Sequence, residues 1–291
     1  DDTLVFLGSR LRHAEDSPDA LEAYGRAAAY FAGWAPALAS EMAAEPAWNE
    51  DGGWTVPTDF LRRRADWGES FFLSNPPSLL YDSSAEAWNT NLYYFTQPNQ
   101  AQAFTLTLPL ASPGILADQA ATLRLHFQGT HNTTTARIFD VEIVNGGGTT
   151  ALPQCIFSLA QAIDYEATVP AGVLADGANS LRVRRINVPY VWTAALQTWE
   201  LLYRSRYVAD QDSLAFDAEG FSGPTELRVT GLSGPWPGWQ LLRLGAAGTP
   251  PTRLLLGAAN QSGTPGDYQL AIRDLLAGDE RWLLADESAL R

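Results

Sequence analysis

Thr168 to Ile186 reads TVPAGVLADGANSLRVRRI, and its second half decides how the rest of the chain is read. Asp176-Gly177 is a turn pair, because Asp bonds its own backbone and Gly takes positive φ without a Cβ penalty. Asn179 then stands where a short amide bonds local backbone as a strand begins. From Leu181 the residues alternate, Leu181 and Val183 to one side and Arg182 and Arg184 to the other, the period of a half-buried strand. Leu174, Leu181 and Val183 are the expected core anchors. The segment reads as a structural hairpin of a β-sandwich rather than a ligand loop.

The same alternation recurs upstream. In ATLRLHFQG, Leu123, Leu125 and Phe127 oppose Arg124, His126 and Gln128; in ARIFDVEIVNG, Phe139, Val141 and Ile143 oppose Ile138, Asp140 and Glu142. LYYFTQ, AFTLTLPL, CIFSLAQ, NSLRVRRINV and QTWELLYRSRY complete a β region between Trp67 and Tyr207, its strands separated by Gly, Pro, Asn and Asp clusters. Many short strands without intervening helices predict an antiparallel sandwich, and the long connections suit a jelly roll.

Before it, TLVFL at Thr3 to Leu7 is a strand candidate that joins the same sheet system. Ser17-Pro18-Asp19 is a helix start, and Leu21, Tyr24, Ala28, Phe31, Ala35, Leu38 and Met42 follow at near-helical spacing, broken by Gly33 and Pro36. A helical and loop excursion is expected over about 17–64, with Glu45 to Arg64 read as loop. After Tyr207 the segments SLAFDAEG, TELRVTGL, WQLLRLG, TRLLLGAA, YQLAIRDL and RWLLADE predict a smaller immunoglobulin-like sandwich. The expected fold is therefore mainly β, with a jelly-roll-like sandwich over 1–207 and the smaller sandwich over 208–291.

A net charge of -14 disfavours nucleic acid and anionic membrane surfaces, whose binding needs positive patches. All 19 basic residues are Arg, which reads as coding bias. The single cysteine, Cys155, excludes an internal disulfide. No run has the length of an apolar membrane span, so no membrane insertion is expected.

Four stretches, DDTLVFLGS, LRLHFQGTHNTTTARIFDVEIVNG, VPAGVLADGANSLRVRR, and DSLAFDAEGFSGPTELRVTGL through RWLLADESALR, resemble the region that precedes the catalytic domain in gingipain-like cysteine peptidases. The stretch Asp19 to Ala44 departs from that pattern. The resemblance implies a secreted or cell-surface bacterial protein and a non-catalytic leader whose partner is a caspase-like peptidase domain beyond Arg291. No catalytic residue carries over. A strand after an Asp-Gly-x-Asn turn also occurs in carbohydrate-binding modules, which keeps a glycan-binding reading open. A structural surface protein docking a partner through its helical segment is the third reading.

Cys155 in LPQCIFSL lacks the cationic setting of a reactive thiolate and reads as buried. His13, His126 and His131 have no zinc spacing. Asp140 and Glu142 share one strand face about 7 Å apart, the order of separation that glycosidases use; charge pairing to Arg124 across the GTHNTTTA connection is the simpler account. Trp54, Trp236 and Trp239, in turn-rich stretches, are the candidate ligand-binding residues as stacking platforms for sugars. Asp140, Asp164 and Asp176 are candidate oxygen ligands for a structural calcium, with no other cofactor expected. The chain is expected not to be an enzyme.

Overall fold

The structure is a computed structural model that describes residues 44–47, 53–67, 81–82, 87–88, 93–94, 105–129, 136–158, 161–186, 194–217, 221–235, 238–244, 252–276 and 281–286. The first strands are Ala44–Pro46 (β1), Phe60–Trp67 (β2), Tyr81–Asp82 (β3), Ala87–Trp88 (β4), Tyr93–Tyr94 (β5) and Thr105–Pro109 (β6). Ala121–Gly129 (β7), Arg137–Asn145 (β8), Gly148–Ala151 (β9), Cys155–Phe157 (β10), Ala162–Val169 (β11), Ser180–Ile186 (β12) and Ala194–Ser205 (β13) follow. The series closes with Ser213–Asp217 (β14), Gly223–Leu232 (β15), Trp239–Leu244 (β16), Thr252–Leu255 (β17), Gln261–Thr264 (β18), Asp267–Leu276 (β19) and Arg281–Asp286 (β20). The described residues contain no α-helix, only a single 3-10 turn at Ala258–Asn260.

One sheet runs β11-β7-β13-β2, and a second runs β10-β8-β12-β6 with β9 added beside β8. Apart from β8 and β10, which stay in one sheet, consecutive long strands alternate between the layers, so β7 and β8 are not a hairpin although they are neighbours in sequence. This interleaving of two antiparallel sheets is a jelly-roll arrangement. Leu123, Leu125 and Phe127 from one layer meet Phe139, Val141 and Ile143 from the other, each no more than 1% exposed. Phe139 stacks on Phe127 and on Phe157 with centroids 5.2 and 5.7 Å apart, and Phe127 and Phe157 meet tilted at 5.9 Å. Fully burying each such side chain contributes about 1.5–3 kcal/mol, which is why the inward positions are so uniformly apolar.

The second core lies between sheet β1-β17-β16-β20-β14 and sheet β15-β19-β18. Leu214, Phe216, Leu241, Trp282 and Leu284 of the first pack against Leu227, Val229, Leu270 and Ile272 of the second.

Two expectations change here. The Glu45 to Arg64 stretch is not simply loop: β1 pairs in parallel with β17, and β2 forms eight antiparallel pairs with β13. Ala47 and Phe60 belong to the second core, so the segment before the jelly roll supplies part of the sandwich that follows it. The strand in FLRRRADW carries three consecutive arginines and one inward aromatic, which hides its period. Thr3 to Leu7 and the predicted helix after Ser17 lie outside the described residues.

Candidate functional site

The expected hairpin around Asp176-Gly177 is instead a crossover: β11 pairs with β7 and β12 with β6 and β8, so the segment passes from one sheet to the other, because alternation reports faces and not neighbours. This crossover turn is held by a closed polar network. Asn179 is 5% exposed. Its Nδ2 donates to Ser112 Oγ at 2.8 Å and to the Ala175 carbonyl at 2.8 Å, while its Oδ1 accepts from the Ala175 N–H at 2.9 Å and from Asn145 Nδ2 at 3.1 Å. Asn145 Nδ2 also donates to the Val173 carbonyl at 2.6 Å. Gly177 has φ +88°, the conformation the turn requires. Asp176 Oδ1 accepts the Gly114 N–H at 2.8 Å, tying this crossover to the loop between β6 and β7. Leu174, Leu181 and Val183 are buried as expected. Every polar atom of the Asn179 amide is occupied inside the protein, so the turn serves structure.

Asp140 and Glu142 do share an outer face, but their partners are on β12, not β7. Arg184 Nη2 reaches Asp140 at 2.7 Å and Arg182 Nε reaches Glu142 at 2.5 Å. Arg124 instead bonds Glu166 at 2.8 Å and Glu200 at 3.2 Å on the other sheet, because the connection after β7 crosses between layers. Hydrogen bonds from Gln154 and Arg184 hold the Asp140 carboxyl below its ordinary range despite partial burial. A carboxylate so stabilised is a poor general acid at neutral pH.

Cys155 is 3% exposed, and burial pushes its thiol up to about 12. That is the opposite of an activated nucleophile. His126 lies on the outer face of β7, its Nδ1 2.5 Å from Asp164 Oδ1. The three aspartates proposed for calcium are dispersed: Asp140 and Asp164 on outer faces of different sheets, Asp176 in the crossover between β11 and β12. Among the described residues, no three His, Cys, Asp or Glu side chains come together.

Of the candidate aromatic platforms, Trp236 lies outside the described residues. Trp239 is 4% exposed within the second core, and its Nε1 donates to the Gly234 carbonyl at 3.0 Å, so neither ring face is open to a sugar. Trp54 is half-buried, and the Arg273 guanidinium carbon sits 5.8 Å from its ring centroid. The Trp54 segment runs along the edge of β15: Thr55 donates to the Pro224 carbonyl at 3.0 Å and accepts from Glu226 at 2.9 Å. Beside it, Glu226 is 5% exposed and accepts from Arg228 Nε at 2.6 Å and Arg273 Nε at 2.7 Å. Burial raises the Glu226 carboxyl, but the two guanidiniums outweigh it and leave the group below its ordinary range. This pairing of a buried carboxylate with two guanidiniums carried no sequence signal, since T-E-L-R-V reads as an ordinary alternating strand.

No family model and no curated protein matches the chain. Its fold is similar to that of dimeric latent PorU from Porphyromonas gingivalis, at 10% identity and a TM-score of 0.51. The match covers 85% of this chain and 22% of that one. The N-terminal CBM22-1-CBM22-2 tandem domain of Xyn10C from Paenibacillus barcinonensis matches at 8% identity and a TM-score of 0.30, over 78% of this chain and 83% of that one. The VP2 subviral particle of infectious bursal disease virus matches at 8% and 0.31, over 78% and 41%. At 10% identity the PorU match concerns the fold. The chain spans about a fifth of PorU, at 22%.

Proposed function

We propose that residues 1–291 are a non-catalytic accessory region of a secreted or cell-surface gingipain-like cysteine peptidase, preceding its catalytic domain. The observation that supports this most is the fold match to latent PorU over 85% of the chain at a TM-score of 0.51. It converges with the resemblance of the Asp176-Gly177 turn segment and closing strands to the leader region of that peptidase family. The one thiol is buried and its pKa raised, and Asp140 and Glu142 are engaged in ion pairs, in keeping with a supporting rather than chemical role. No helix among the described residues is long and apolar enough to cross a membrane. The region would position, protect or deliver the peptidase domain, its partner within the parent chain.

The test is the parent protein, produced whole and with 1–291 deleted. Activity is measured on a fluorogenic peptide, and yield is measured in the medium. The reading predicts a His- and Cys-bearing caspase-like domain after Arg291 and a loss of yield or a change of activity on deletion. A parent chain without that domain, or deletion that alters neither quantity, overturns it.

A further inference from the structure

The chain passes from the jelly roll to the second sandwich between Ser205 and Ala209, and parts drawn from both sides close around the passage. The Pro113 carbonyl accepts from Ser205 Oγ at 3.1 Å, from Tyr203 Oη at 3.3 Å and from Arg62 Nη1 at 3.3 Å. The same Arg62 nitrogen donates to the Val208 carbonyl at 3.0 Å. Arg62 is 7% exposed, a burial rare for a charged side chain.

Val208 is wedged between two glycines, one from each sandwich. A Cβ at Gly114 would stand 3.0 Å from Val208 Cγ2, and one at Gly231 would stand 3.0 Å from Val208 Cγ1. Both glycines have positive φ, +71° and +76°, so each is required by conformation as well as by space. Backbone bonds close the rest of the joint. Arg206 donates to the Gly114 carbonyl at 2.8 Å, Ala209 to Thr230 at 2.8 Å, and Thr230 to Tyr207 at 2.9 Å. An Arg64–Asp210 ion pair flanks them.

We infer that this is a locked joint in which Arg62 pins the passage between the two sandwiches, so that they tumble and unfold as one body at a fixed angle. Domains joined in one chain ordinarily move relative to each other, and flexible linkers lack such cross-contacts. Here rotation about 206–208 would withdraw Val208 from its cleft. It would also take the Val208 carbonyl from the buried Arg62 guanidinium, leaving that nitrogen only its longer bond to Pro113 and the carbonyl without its donor, which the low-dielectric interior penalises. The inference stands on the joint alone and does not depend on a peptidase domain.

The test uses the 291-residue chain, with Arg62→Met, which keeps an unbranched stem and removes the donors, and Gly231→Ala, which places a methyl against Val208. Calorimetry of the wild type is expected to show one cooperative transition, and ¹⁵N relaxation one rotational correlation time for both sandwiches. Arg62→Met is expected to split the transition in two and broaden the maximum dimension seen by small-angle scattering. Two correlation times in the wild type, or an Arg62→Met protein with an unsplit transition and unchanged scattering, overturns the inference. If Arg62→Met does not fold, Gly231→Ala is read by the same two criteria, and the wild-type relaxation measurement decides independently.

Discussion

Asn179→Ala should be among the most damaging polar-to-small substitutions in the jelly roll. Truncation deletes two donated and two accepted hydrogen bonds of 2.8–3.1 Å at a side chain 5% exposed. Some partners keep a second contact: Ser112 Oγ still donates to the Ala175 carbonyl at 2.9 Å, and Asn145 Nδ2 to Val173 at 2.6 Å. The Ala175 N–H loses its acceptor. At about 1 kcal/mol per bond the four bonds account for about 4 kcal/mol, and the orphaned donor adds to that. For a chain of this size that lowers the melting temperature by roughly 10 °C. Asn179→Asp is a sharper probe. Its carboxylate cannot donate to Ser112 or Ala175 when ionised, and burial raises its folded pKa above the unfolded value, so the variant's deficit relative to wild type should be largest at pH 7, shrink as pH falls through the folded value and reach its minimum by about pH 4, where protonation has restored a donor. Calorimetry or urea titration reads both. A melting temperature for Asn179→Ala within about 2 °C of wild type would refute the claim that this amide organises the crossover turn.

Three further outcomes follow from the same geometry. Cys155, with its thiol pushed up to about 12, should resist alkylating reagents at pH 8 in the native state and react promptly in denaturant; rapid native labelling would contradict its burial. Glu226→Gln should cost about 2 kcal/mol at pH 7, since charge-assisted bonds from two guanidiniums are weakened. Because the folded carboxyl is held below its ordinary value, that contribution is complete above about pH 4.3 and fades as pH falls through the folded value, so the wild-type and variant stability curves should converge in acid. Trp239→Ala should lose about 3–5 kcal/mol of stability by emptying a core site; a variant of unchanged stability that lost only glycan binding would restore the stacking-platform reading.

The strands most visible in the sequence were those whose inward positions are large and apolar. Leu123, Leu125 and Phe127, or Phe139, Val141 and Ile143, state the period of two without ambiguity, and both strands lie where the alternation puts them. Which strands share a sheet was not visible, because alternation reports faces and not neighbours. The pairing of Asp140 with Arg184 rather than with Arg124 follows from that single hidden fact. Strand β11 escaped because its inward set, Tyr165, Ala167 and Val169, has a small residue at its centre and acids on either side. β2 escaped for a different reason. Its buried positions include Arg62, whose burial is compensated by two backbone carbonyls that no local pattern can announce.

The crossover turn at Asp176-Gly177 and the joint at Val208 are more than thirty residues apart in sequence yet meet at one loop. Asp176 holds the Gly114 N–H, the Gly114 carbonyl accepts from Arg206, and Gly114 leaves the space that Val208 fills. Ser112, two residues earlier, is bonded by Asn179 and pairs with Gly177. A loop fixed from both sides in this way has no freedom left to act as a recognition surface at its base. It transmits the rigidity of the jelly-roll end to the passage that begins the second sandwich. The turn that marks a β-sandwich in the sequence thus also sets the floor on which the two sandwiches are joined. Variation for binding is left to the outer strand faces and to loops away from residues 112–116 and 174–179.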